Sequence, residues 1–377
     1  MKGCLAILGG GQLARMSAYA AYRLGLDVGI MARPADDNPA ARVATHTWMG
    51  AYDDRALLED VARQAAAVTL ENEFVDVGVL QVLEARGVAV FPSSKTLALV
   101  QDKATQKGVC VKAGLPVPRF ATVETPEDVL KAAESLGWPL VLKARRNGYD
   151  GYGNALLRDP ADVEPAFTKL RARSALMVEA FVPFTAELAI MVARGRNGDE
   201  VVYPLTETVQ HAHMCHTVLA PAAVGPATVA RAEEVARKLV RAVEGVGVFG
   251  VELFLLNDGE VLVNEVAPRP HNSGHFTMDA CATSQFENHV RAVLGLPLGS
   301  TAMRVPAAVM VNILGSTTGP AQPRGLAEAL AVPGVTVHLY GKHNSRPSRK
   351  MGHVTALGAT VQEAREAALK AARAITI

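Results

Sequence analysis

The sequence predicts an α/β protein of three units, the first built on a parallel sheet. Short apolar runs alternate with Ala-rich, helix-like stretches at the N-terminal end, and later segments alternate strand-like runs with explicit hairpin turns. A length of 377 residues with 49% hydrophobic content suits two or three cores better than one.

In the first unit, CLAILG (Cys4 to Gly9), DVGIM (Asp27 to Met31), AAVTL (Ala66 to Leu70) and VAVF (Val88 to Phe91) are the predicted strands. The pattern changes at FPSSKTLALVQDK, where Pro92 and two serines precede a helical run. Beyond it, PLVLK reads as a strand feeding a glycine-rich loop, and LMVEAFVPF and ELAIMVARGRNGDEVVYPLTE as further strands with an Asn-Gly turn at Arg196 to Asp199. Apolar spacing predicts a helix over Ala227 to Val243. AAVMVNIL and VTVHLY are strands of a last unit that closes on an Ala-rich helix.

Lys plus Arg (38) nearly equals Asp plus Glu (37), so no basic field draws nucleic acid and any anion site has to be local. Cys4, Cys110, Cys215 and Cys281 lie far apart without a CxxC pair, which disfavours a disulfide framework or a thiolate zinc site. MKGCLAILGGGQ has no leader-like apolar region and no run approaches membrane-spanning length, so a cytoplasmic protein that engages neither membrane nor nucleic acid is expected.

Gly9-Gly10-Gly11-Gln12-Leu13-Ala14 fits G-x-G-x-x-A between a strand and a helix, with Asp36 and Asp37 downstream. Such a turn brings helix N-terminal amides to a phosphate, although a tight steric turn needs the same glycines. Lys143 precedes Gly148-Tyr149-Asp150-Gly151-Tyr152-Gly153, whose glycines let backbone fold over phosphate oxygens; a hairpin tip beside a solvated lysine is the other reading.

GVELFLLNDGEVLVNE carries an Asp258-Gly259 hairpin signal. Counted outward from a two-residue turn, Asn257 faces Glu260, Leu255 faces Leu262 and Glu252 faces Glu265. Phe254, Leu256, Val261 and Val263 then share the glutamates' face, and the hairpin is expected to be buried on both sides. Opposed carboxylates destabilise a sheet unless something positive separates them. A Mg²⁺ ion on Glu252 and Glu265 meets that need, with Asn264 or a substrate oxygen completing its shell. A Lys or Arg clamp, or a slipped register, is the alternative. NEVAPRPHNSGH then places Arg269, His271, Asn272 and His275 beyond Glu265, and an arginine there can grip a planar oxyanion. YGKHNSRPSRKMGH concentrates Lys342, Arg346, Arg349 and Lys350 with no acid, as an anion site or as a solvated basic loop.

Lys103, Lys143 with GYDGYGN, VEAFV with Glu179 and Glu187, the Glu252/Glu265 pair, NEVAPRPHNSGH and SRPSRKMGH follow one another over almost the whole chain. Together they resemble the ATP-grasp enzymes, most closely the N5-carboxyaminoimidazole ribonucleotide synthetase family of purine biosynthesis. GGGQLARM and TLENEFV are similar to that family's N-terminal domain. The resemblance implies three domains: Rossmann-like over 1–97, ATP-grasp over 98–297, and a C-terminal domain over 298–377 that contributes to the active site. It implies ATP with Mg²⁺ on Glu252 and Glu265, carboxyphosphate made from bicarbonate, and carboxylation of the exocyclic amine of 5-aminoimidazole ribonucleotide.

By the same resemblance, Lys103, Lys143, Asn264 and Glu265 meet the nucleotide phosphates under a cover running from Gly148 to Asn154. Glu179, Ala180, Phe181 and Val182 line the adenine, with Glu187 on the ribose and Gln210 beside the nucleotide. The ribonucleotide lies near Tyr149, Asp150, Gly11, Gln12, Leu13, Glu71 and Glu73, with Asn272 and Ser273 close by and Arg346, Arg349 and Lys350 drawing its phosphate. Arg269 and His271 hold bicarbonate or carboxyphosphate, and Asp150 accepts the amine proton unless carboxyphosphate's own phosphate does. A homodimer is expected by analogy. Tyr152 stands where the family commonly has Arg and Gln210 where it often has His, for which His211 or His213 could substitute. A formate-dependent glycinamide ribonucleotide transformylase-like enzyme and a non-catalytic nucleotide-binding protein are the alternatives.

Overall fold

Four parallel strands form the N-terminal sheet in the order His46–Met49, Val28–Ala32, Cys4–Leu8, Ala65–Leu70. The two central strands are buried along their full length, which is why they read as unbroken apolar runs. The computed structural model describes residues 3–148, 153–172, 174–211 and 214–377; Tyr149, Asp150, Gly151, Tyr152 and His213 lie outside the described residues. One expectation for this sheet needs correction, and one strand was not anticipated. VAVF makes only a bridge, Val90 to Val68, whereas HTWM (His46–Met49) is an edge strand. Only Trp48 of that strand is buried, so no apolar run announced it.

A second, antiparallel sheet runs Phe120–Val123, Leu176–Ala180, Leu140–Ala144, Asn154–Leu157. Leu140, Leu142, Leu176 and Val178 face the helices Pro126–Leu136 and Val163–Arg171. Side chains alternate across a strand, so Lys143 and Glu179 face the opposite way, toward the third sheet. The glycine-rich segment is the connection between Leu140–Ala144 and Asn154–Leu157, with Lys143 paired to Asn154.

The third sheet is the largest: Val261–Ala267, Gly247–Leu255, Ala186–Arg194, Thr206–His211, Met214–Ala220, Ala307–Leu314, Lys350–Gly358 and Val335–Leu339, with Glu200–Val202 beside Ala186–Arg194. The C-terminal strands therefore extend the central sheet through Met214–Ala220. The predicted helix at Ala227 is present as Pro226–Ala242, and Val361–Ala374 closes the chain behind a Thr360/Glu363 capping box.

Candidate active site

Lys143 joins the second sheet to the third. Its Nζ lies 2.8 Å from Glu179 Oε2 and donates to Asn264 Oδ1 at 3.3 Å. Lys107 approaches Glu179 Oε1 from the other side at 3.4 Å and donates to the Val263 carbonyl at 2.9 Å. Burial raises the Glu179 carboxyl, but Lys143 and Lys107 outweigh it and hold the group below its ordinary range. Burial also pushes the Lys107 ammonium down to about 8, against the pull of Glu179.

Glu252 does stand opposite Glu265, but the hairpin reaches that pairing by another route. Leu256 N–H donates to Glu260 O, and Gly259 adopts φ +86°, so the loop holds three residues, Asn257 to Gly259, rather than two. Near the loop the pairs are Leu255 with Val261 and Leu253 with Val263, one residue off the expected register. A bulge then leaves Asn264 unpaired between Val263 and Glu265 and restores it. The same three-residue form, with Gly198 at φ +90°, closes the turn between Gly195 and Asp199.

The facial assignment changes accordingly. Val261 and Val263 are buried with Val251 and Leu253 in the core, while Glu252 and Phe254 lie on a half-open face, where Phe254 stacks on Phe184 at 4.7 Å. The hairpin is buried on one side only.

On the open face, Lys103 ion-pairs with Glu265, and His271 Nε2 sits 3.2 Å from Glu252 Oε1. Burial raises the Glu265 carboxyl, yet Lys103 overrides it and holds the group well below its ordinary range. Asn264 Nδ2 donates to Glu252 Oε2 at 3.2 Å. Glu187 shares the face through its pairing with Phe254, and its Oε2 is buried without a partner among the described residues. Burial raises the Glu187 carboxyl; a Gln210 hydrogen bond opposes this, and the charges of Glu252 and Glu265 add to it. The facing carboxylates of Glu252 and Glu265, with the Asn264 amide oxygen beside them, are donors of the kind a hard divalent cation takes. The residues present therefore fit Mg²⁺.

His271 is seated by Gly250, where a Cβ would lie 2.4 Å from His271 Cβ. Arg269 grips Glu73 through Nε and Nη2, at 2.5 and 3.1 Å, and its charge outweighs the burial that would raise Glu73. Gln101 fixes the same segment by donating to the Glu73 and Val75 carbonyls. Asn272 exchanges amide hydrogen bonds with Asn312, and the buried Ser273 donates its N–H to His271 Nδ1 at 3.4 Å.

The G-x-G-x-x-A turn holds a carboxyl group of the protein's own. Glu71 accepts from Gly11 N–H at 2.6 Å and Leu13 N–H at 3.3 Å, filling the N-terminus of the Gln12–Arg23 helix. A Cβ at Gly11 would meet Glu71 Oε1 at 2.2 Å, so close approach to this carboxylate explains the glycine. That removes the site on which a non-catalytic dinucleotide-binding reading rested.

The basic cluster is not acid-free in three dimensions. Asp37, 312 residues before Arg349, takes Arg349 Nη1 at 3.0 Å and the His343 N–H at 2.9 Å. Lys342 donates to the Lys350 carbonyl, and Arg346 is exposed. Arg349 is thus committed to Asp37 in this structure.

Three family models match the chain: the ribonucleotide synthetase preATP-grasp domain over residues 1–101, the ATP-grasp domain over 109–286, and the phosphoribosylaminoimidazole carboxylase C-terminal domain over 308–367. An N5-carboxyaminoimidazole ribonucleotide synthase of Synechococcus elongatus is 42% identical over 350 residues, 93% of this chain and 88% of the relative. The chain belongs to the N5-carboxyaminoimidazole ribonucleotide synthase family. The synthetase structure from Thermotoga maritima superposes with a TM-score of 0.89 at 40% identity, over 100% of this chain and 99% of that one. A synthase from Aspergillus clavatus, solved in complex with ADP and 5-aminoimidazole ribonucleotide, gives 0.90 at 36% identity over 99% and 98%. Fungal and plant relatives named phosphoribosylaminoimidazole carboxylase are longer, and this chain spans 64–66% of them. The three-domain ATP-grasp architecture expected from the motifs is that of the synthase family.

Sequence reasoning missed two residues of this synthase-family site. Lys107 and Gln106 are buried on the Lys103–Lys112 helix, and Gln106 pins Val266 by accepting from its N–H and donating to its carbonyl, at 2.9 and 3.0 Å. Lys103, Gln106 and Lys107 stand at i, i+3 and i+4, a polar stripe on one helical face that was the available signal. The strand expected to run through LMVEAFVPF ends at Ala180, leaving Phe181 exposed and Glu179 buried with the lysines.

Proposed function

We propose that the chain is an ATP-dependent ligase that carboxylates 5-aminoimidazole ribonucleotide with bicarbonate, giving N5-carboxyaminoimidazole ribonucleotide, ADP and phosphate. The observation that carries this reading is the half-open face where Glu252, Glu265 and Glu187 lie opposite Lys143 and Lys103. The relative from Aspergillus clavatus, named for its complex with ADP and 5-aminoimidazole ribonucleotide, supports the same two ligands here.

Glu252 and Glu265 would hold Mg²⁺, which lowers the cost of charge building on the transferred phosphoryl group. Lys103 and Lys143 supply fixed positive charge to the nucleotide phosphates, and binding draws Lys103 away from Glu265. Phe181 and Phe184, both exposed, offer apolar surface beside Ala180 for the adenine. Arg269 and His271 stand beside Glu73 and Glu252 to orient bicarbonate and then carboxyphosphate, whose carboxyl group passes to the amine. Tyr149 and Asp150 complete the reading as substrate contact and proton acceptor, with Gly148 to Asn154 as cover. Gly11 to Leu13, Asn272, Ser273, Arg346 and Lys350 border the ribonucleotide; Arg349 does so only by leaving Asp37. The division at 97/98 and 297/298, a cytoplasmic location and a homodimer belong to the same proposal. No helix of the described residues is long and apolar enough to cross a membrane.

The test is ADP release measured with bicarbonate and 5-aminoimidazole ribonucleotide together, each alone, and with formate and glycinamide ribonucleotide instead. Release that needs the first pair supports the reading. Release with the formate pair alone replaces it by the transformylase alternative.

A further inference from the structure

The Tyr340–His353 motif contributes to a second cluster of metal-type donors, made of residues other than the Glu252/Glu265 pair. His338 and His353 are direct partners on adjacent antiparallel strands, with rings stacked 4.5 Å apart. Asp279, on the short helix Thr277–Ala280, reaches His338 Nε2 with both carboxylate oxygens at 2.9 and 3.2 Å. One donor atom from each of Asp279, His338 and His353 lies within 4.8 Å of the others.

A hydrogen-bonded contact alone accounts for Asp279 and His338, but it leaves His353 unexplained. That residue is 0% exposed, and its Nε2 is buried with no hydrogen-bond partner among the described residues. Its other nitrogen, Nδ1, is 3.0 Å from the Tyr340 hydroxyl. An imidazole whose Nδ1–H is given to a neighbouring oxygen presents Nε2 as a lone pair, the arrangement that orients a metal-ligating histidine. A buried nitrogen with nothing to bind is costly, and a metal ion removes that cost. Access exists as well: His338 and Tyr340 line a cavity of about 170 Å³ with Gln12, Arg15, Met16 and Met278.

We propose that Asp279, His338 and His353 bind one divalent transition-metal ion, with a remaining coordination position turned to this cavity. Two neutral imidazoles and one carboxylate suit Zn²⁺ or Co²⁺ better than Mg²⁺, which prefers an all-oxygen shell. Metal–ligand bonds near 2.1 Å require the donors to draw together by roughly an ångström. The ion ties the Thr277–Ala280 helix to strands Val335–Leu339 and Lys350–Gly358, so it acts as a staple between that helix and the edge of the large sheet.

The experiment is titration of the full-length protein, stripped with chelator and kept in excess Mg²⁺, with Co²⁺ followed by its visible absorption, and with Zn²⁺ followed by melting temperature. The expected result is one Co²⁺ per chain with a four- or five-coordinate spectrum, and a melting temperature raised by several degrees in Zn²⁺. His338→Gln and Asp279→Asn, which change partly exposed residues, each weaken Co²⁺ binding at least tenfold and abolish the shift. An unchanged spectrum and stoichiometry in both variants, or no Co²⁺ bound at micromolar concentration by the wild type, overturns the proposal.

Discussion

Asn264 donates to Glu252 Oε2 at 3.2 Å from the one position where the hairpin carries an unpaired residue. The same side chain accepts from Lys143. It therefore sets the strand register and ties both sheets to the glutamate pair. Asn264→Ala is expected to lower kcat/KM for ATP roughly 10–100-fold while shifting the melting temperature by only a few degrees. Steady-state ADP release and a thermal melt on the same preparation check this; wild-type kinetics would remove Asn264 from its positioning role.

Gly250 is expected to tolerate no side chain, because a Cβ there would lie 2.4 Å from His271 Cβ. Gly250→Ala should displace His271 from Glu252 and cost about 1–3 kcal/mol of stability through overpacking. Activity should fall at least tenfold. A denaturant titration and the ADP assay read the two effects separately.

Lys107 provides a pH-dependent signature. Its ammonium titrates at about 8 in the folded protein against 10.5 for the unfolded chain, so between those values the unfolded state binds more protons. Stability contributed by this residue must then rise with pH across that window, by on the order of 3 kcal/mol. Below pH 8 the burial cost is carried in full. Urea titrations from pH 7 to 10.5 should show this rise in the wild type and its loss in Lys107→Met.

Arg269 and Glu73 should behave as a coupled pair. Arg269→Met alone strands a partly buried carboxylate and should destabilise by about 2 kcal/mol. Adding Glu73→Leu should restore part of that stability without restoring catalysis. A double variant destabilised by the sum of the Arg269→Met and Glu73→Leu single changes would show that the pair is not coupled.

Much of this architecture was readable from residue patterns, and the failures have specific causes. The Glu252/Glu265 pairing was anticipated from a two-residue turn, yet the loop has three residues and a bulge cancels the difference. Turn dipeptides do not reveal loop length, and bulges are set by what the strand packs against. The short edge strands His46–Met49 and Phe120–Val123 stayed hidden because half-exposed edges lack apolar runs. The acid that meets the basic loop, Asp37, comes from the opposite end of the chain, where spacing gives no hint. Glu71 likewise occupies the helix terminus that its motif advertised for phosphate, since a motif records the need for close approach and not what approaches.

The claim on which the proposed chemistry depends is that Glu252 and Glu265 jointly hold a divalent cation. Its most direct test is ADP release, with bicarbonate and 5-aminoimidazole ribonucleotide present, titrated with Mg²⁺ in the wild type and in Glu265→Gln. The account predicts a rate lowered at least about 100-fold and a raised Mg²⁺ requirement, with the fold retained. A variant matching the wild type in both rate and Mg²⁺ dependence would contradict it.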